Sequence, residues 1–226
     1  MAAAAHNTML DQIGQTQTPL PASVVVLLGV AVFAVIMLPT WLVLRHATTM
    51  AHEGAHALVG WVFGGKITSV TMQSDGSGLT DASFSGNTGR FLFLFVGYIG
   101  PSAFGLAAAK LISIGHIVAV LWLALLLLAI LLITVRNFFA LCVVAVTGLL
   151  LYLFARHASV APQTVLAYVI TWFLLLSGLW HVLKYDGQKG DAPNVAERTH
   201  LPSWLWVGVW QLGAAVALVV GARLLL

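Results

Sequence analysis

Charge is what this chain has least of. Asp, Glu, Lys and Arg make up 8% of its 226 residues, while hydrophobic types make up 60%. Soluble domains carry about a quarter charged residues, so this composition cannot cover a water-facing surface, and a soluble enzyme is excluded. Cysteine is nearly missing as well. Cys142 stands alone inside an apolar run, which excludes a disulfide framework and a Cys-based zinc site, so any metal must be held by His, Asp or Glu. The ten Lys and Arg are scattered singly, and without a basic cluster to follow a phosphate backbone no nucleic-acid partner is expected. The stretch 1–21 is polar and holds no Lys or Arg. It lacks the basic start of a cleaved signal peptide and is expected to be a tail before an uncleaved first helix.

What the chain does have is hydrophobic length, with 8 Trp and 11 Phe and a mean hydropathy of +0.99. Disorder is thereby excluded, and a polytopic membrane protein is implied. A spanning helix needs about 20 predominantly apolar residues. The charge-free intervals hold six candidates, near Ala22–Leu44, Phe91–Leu111, His116–Val135, Phe138–Ala155, Thr164–Leu183 and Trp204–Ala222. A seventh helix is expected near His46–Phe63. The fold class is thus all-α and polytopic, with six to seven transmembrane helices in one membrane-embedded domain over 22–226.

Two segments are not spans: 64–89, rich in Gly, Ser, Thr and Asp, and 185–202, which carries most of the remaining charge. In the first, a short β-branched run, the turn Ser74-Asp75-Gly76-Ser77-Gly78 and a second short run predict a β-hairpin. With seven crossings, Lys66, Arg90, Arg136, Lys184, Lys189 and Arg198 fall on one side, and Arg45, Lys110, Arg156 and Arg223 on the other. That bias puts the hairpin, the 185–202 loop and the N-terminus on the cytoplasmic side.

The seventh helix carries the chemistry. His52-Glu53-Gly54-Ala55-His56 is an H-E-x-x-H motif. Positions four apart on a helix share a face, so both imidazoles can take adjacent vertices of a zinc tetrahedron. Glu53 stands a third of a turn from His52, where it can serve a water at the metal without being a ligand. With 8 His in the chain, the motif arises by chance at a rate of roughly 0.002. Each charge at the bilayer centre costs about 2.5–3.5 kcal/mol, so an intramembrane cluster of ionisable groups points to function. Spacing leaves the third ligand open among Asp186, Asp191, Glu197, His181 and His200. His46, His116 and His157 fall at span ends and His6 in the polar tail, where imidazoles need no metal to explain them.

In four places the chain resembles the site-2 protease family of intramembrane zinc metallopeptidases, in its compact bacterial branch. They are the H-E-x-x-H segment through Leu58; Gly64-Gly65-Lys66-Ile67 with Asp75-Gly76-Ser77-Gly78; Gly97-Tyr98-Ile99-Gly100-Pro101; and Gly190-Asp191-Ala192 before Leu201-Pro202. The resemblance implies a zinc endopeptidase in a bacterial plasma membrane, cutting membrane-protein substrates in or near their transmembrane segments. It implies His52, His56 and Asp191 as ligands of Zn2+ and Glu53 as catalytic base. The Gly-Asp-Ala context departs from the Leu-Asp-Gly form of better-known members. The partners are then a membrane-bound substrate and the bilayer. Gly97, Tyr98, Gly100 and Pro101 are expected to bend their span, and Asn194 to help polarise a scissile carbonyl. A metal transporter is the rival class, disfavoured because the spans between Lys110 and Leu183 are almost purely apolar. A non-catalytic scaffold has no need of Glu53.

Overall fold

The computed structural model describes residues 13–226, so His6 and most of the expected polar tail lie outside the described residues. Among the described residues from Ala22 on, eight helices and one hairpin follow in order: α1 Ala22–Met37, α2 Trp41–Val62, β1 Lys66–Met72, β2 Gly78–Ser83, α3 Asn87–Ser113, α4 Ala119–Thr134, α5 Phe138–His157, α6 Val160–Leu183, α7 Asp191–Thr199 and α8 Ser203–Leu225. Four of them, α3, α5, α6 and α8, are each long and apolar enough to cross a membrane, and the bent pair α1 and α2 makes a fifth span if counted as one. The all-α polytopic architecture with a hairpin behind the H-E-x-x-H helix is what the composition implied. Of the six to seven helices expected to cross, four meet that length by themselves, the bent pair gives a fifth, and α4 is a shorter apolar helix.

Two local causes account for the difference. The interval 22–44 is not one helix, because Pro39 has no N–H to donate and pushes the residue before it out of the helical region. Leu38 is accordingly extended (φ −85°, ψ 168°), and α1 meets α2 at 108°. The α4 interval stops short because Val135, just past its end, pairs with Val70 of the hairpin. Sixteen residues rise about 24 Å, less than the roughly 30 Å of a hydrocarbon core.

The third helix, α3, is the central post, lying against α2, α6 and α8. One apolar cluster joins Val25, Ile112, Leu121, Tyr168 and Leu175 from four helices, and a second joins Met50, Val70, Met72 and Val144 beneath the hairpin. Many remaining apolar side chains are exposed on the outside, as lipid-facing surface requires.

The hairpin is not an external loop. A Schellman arrangement ends α2: Gly64 takes φ 72° and Gly65 N–H donates to Gly60 O at 2.6 Å, which reverses the chain. The strands then run back along α2, from Ile67 against Gly60 to Ser74 and Gly76 beside Arg45. Arg45, assigned from crossing number to the opposite side, therefore meets the hairpin turn. The outer edge of β1 is occupied: Arg136 N–H donates to Val70 O at 2.9 Å, and the Asn137 amide bonds both Met72 N (3.1 Å) and Met72 O (2.7 Å). The outer edge of β2 has no backbone partner among the described residues.

Candidate metal centre

The helical spacing of His52 and His56 brings their Nε2 atoms to 3.2 Å from each other, one turn apart on the buried face of α2. His56 Nδ1 lies 2.7 Å from Phe93 O of α3. A carbonyl accepts only, so Nδ1 carries the proton and Nε2 presents its lone pair inward. Asp191, the first residue of α7, completes the group. Its Oδ2 stands 3.2 Å from each of the two Nε2 atoms.

Three electron-pair donors converging in a largely buried site repel one another unless a cation lies among them. The dimensions suit one. With metal–ligand bonds of about 2.0–2.1 Å, a tetrahedron has edges of about 3.3–3.4 Å, close to the observed 3.2 Å triangle. His52, His56 and Asp191 form a group that could hold a metal ion. The space beside them is left by Gly97: a Cβ there would stand 2.6 Å from His52 Nε2 and closer still to His56 Nε2 and Asp191 Oδ2. One turn on, a Cβ at Gly100 would collide with Ala55. The expected bend at Gly97–Pro101 is not needed for this. Helix α3 runs on through Pro101, and the glycines serve to seat α2 against it.

The loop that delivers Asp191 is held by an aromatic residue. Tyr185 OH donates to Lys189 O and accepts Ala192 N–H at 3.0 Å, bracketing Asp191 on both sides. Its ring stacks on Tyr98 at 4.1 Å, and Tyr98 lies edge-on to His52 at 4.8 Å. Gly190 takes φ 77° to swing the chain into α7. The other third-ligand candidates, Asp186, Glu197, His181 and His200, do not join the metal-capable group. His181 stacks on Tyr98, with its ring 5.9 Å from that of His52. Asn194 lies on α7 one turn beyond Asp191 and, with Glu197, Arg198, Asn87 and Arg90, lines a cavity of about 750 Å³.

Glu53 is 2% exposed, and its Oε2 accepts a hydrogen bond of 2.6 Å from Thr80 Oγ1 on β2. The sequence contains Tyr185, Thr80 and the Phe93 carbonyl but nothing that marks them. Each acts through a contact distant in the chain, and a backbone carbonyl has no residue signature at all.

The sequence model of the Peptidase M50B-like family matches residues 24–221. Searches of curated proteins and of solved structures returned no match. Because the family match takes in the H-E-x-x-H helix, the glycine-bearing span and the aspartate loop in a single stretch, the chain belongs to the Peptidase M50B-like family within the site-2 protease group, and is in general class an integral-membrane metalloprotease.

Proposed function

We propose that this protein hydrolyses peptide bonds in or near the transmembrane segments of membrane-protein substrates, with Zn2+ held by His52, His56 and Asp191 and with Glu53 as general base. The observation that carries the reading is the triangle of 3.2 Å edges among the three donor atoms, beside a buried carboxylate that is not part of it. Zinc, when bound, polarises the scissile carbonyl and lowers the pKa of a water to about 7. Glu53 takes the proton of the attacking water and returns it to the leaving amine, a role that requires a carboxylate near the metal and outside its ligand set.

A helical substrate hides its amides in internal hydrogen bonds and must be extended to be cut. The outer edge of β2 is the edge to which such a segment adds as a strand, because β1 is already covered by Val135–Asn137. Water reaches the site through the polar cavity between the start of α3 and α7, one turn from Asp191. Lys66, Arg90, Lys184, Lys189 and Arg198 flank the hairpin and the aspartate loop in the sequence, which supports a cytoplasmic location for this end, and the family resemblance supports a bacterial plasma membrane.

The test is a single-span reporter cleaved by purified protein in liposomes. Glu53→Gln is expected to retain metal while cleavage falls by about 10²–10⁴-fold. Equal cleavage by that variant and the native chain would remove the mechanism.

A further inference from the structure

We propose that Thr80 is a positioning residue for Glu53, so that the strand offered to substrate is also the strand that aligns the base. This rests on the peptidase reading above.

The contact is short and dry. Thr80 Oγ1 donates to Glu53 Oε2 at 2.6 Å, with Thr80 7% and Glu53 2% exposed. A charge-assisted bond of this length fixes one carboxylate oxygen, and no other side-chain donor reaches Glu53 among the described residues. The backbone of β2 is pressed onto the same group. A Cβ placed at Gly78 would stand 2.8 Å from Glu53 Cδ and 2.8 Å from Thr49 Cγ2, so glycine is needed for the strand to lie this close.

The placement of Thr80 is built along the first half of α2. Residues 45, 49 and 53 form one stripe of the helix, and they meet the hairpin in order. Arg45 Nη2 points to Ser74 O at 3.5 Å, Thr49 Oγ1 donates to Gly76 O at 2.6 Å, and Glu53 accepts from Thr80. On the opposite edge, Asn137 bonds both backbone groups of Met72, the register partner of Gly78. Thus the hairpin is pinned on both sides, and only the outer edge of β2 is left for an incoming strand. A segment added there lies next to the residue whose hydroxyl holds the base. A hydroxyl is suited to this task, since it donates to a carboxylate and can turn to accept once the carboxyl has taken up a proton.

The experiment compares Thr80→Val, Thr80→Ser and Glu53→Gln in the full chain, with metal content, kcat and KM measured on the same single-span reporter. Thr80→Val preserves shape and removes the donor. It is expected to keep its metal and its KM within about threefold while kcat falls by about 10- to 100-fold. Thr80→Ser, which keeps the hydroxyl, is expected to restore kcat to within about threefold of native. Native kcat in Thr80→Val overturns the proposal, as does an equal loss in the Val and Ser variants, a loss accompanied by loss of metal, or a change confined to KM. An active Glu53→Gln would instead overturn the choice of base, a result distinct from any of these.

Discussion

Helices α2 and α5 are nearly equal in length, 22 and 20 residues, yet they live by different rules. Ten residues of α2 are buried, among them Thr48, Thr49, His52, Glu53 and His56. In α5 only Ala140, Val144 and Ala155 are buried, and Leu149 and Leu150 are 57% and 63% exposed. On an outer helix the bilayer accepts almost any apolar side chain, because a Leu against lipid and a Leu against protein differ little. Inside the bundle a buried polar atom is costly without a partner, and contacts such as Thr49 to Gly76 O and His56 to Phe93 O set the geometry there to tenths of an ångström. Helices of similar length in one chain therefore give one region that tolerates substitution and another that does not.

The sharpest way to exploit that contrast is His56→Ala. It removes both a proposed metal donor and the N–H that binds Phe93 O, and metal stoichiometry in elemental analysis is expected to fall close to zero, with cleavage down by at least about 10³-fold. Retention of metal by this variant would show that the triangle is not the binding site.

A matched pair of glycines comes next. Gly97→Ala puts a methyl group among His52, His56 and Asp191, and a 10- to 100-fold loss of metal affinity in chelator competition is expected, roughly the scale of a disturbed ligand shell. Gly148→Ala on α5 meets only Leu128 Cβ at 4.0 Å, an ordinary contact, and is expected to be neutral or to stabilise by about 0.5–1 kcal/mol in thermal unfolding. If the two alanines behaved alike, the distinction between the regions would fail.

Tyr185→Phe is a milder probe of the loop. It removes the hydroxyl that ties Lys189 O to Ala192 N while keeping the stack on Tyr98. Metal affinity is expected to drop by about tenfold, with little change in melting temperature. A melting-temperature loss without an affinity loss would make Tyr185 a fold residue only. The smallest effect belongs to Leu150→Val, expected to stay within about 0.5 kcal/mol in unfolding and to leave cleavage unchanged.

Much of this was legible before any coordinates. Low charge forces the chain into lipid, and four-residue spacing puts two imidazoles on one helical face whatever surrounds them. The Asp-Gly turn marks the hairpin, and its strands form where the pattern put them. Less legible were the ends of elements. Pro39 breaks what hydropathy reads as one span, and α4 stops where its exit meets β1, an event that no window of residues can register.

By itself the sequence determined the residue types and the local periodicities: a membrane protein, a His-Glu-His helix and a hairpin behind it. These follow from interactions within about one turn of helix or one strand pair, where covalent spacing sets the distance. Only the tertiary structure brought Asp191, of the five candidate third donors, to the two histidines, seated Gly97 beside them, ran the hairpin back along α2 and laid Thr80 on Glu53. Those outcomes depend on how separate helices pack around α3, and packing joins residues whose separation along the chain carries no information about their separation in space.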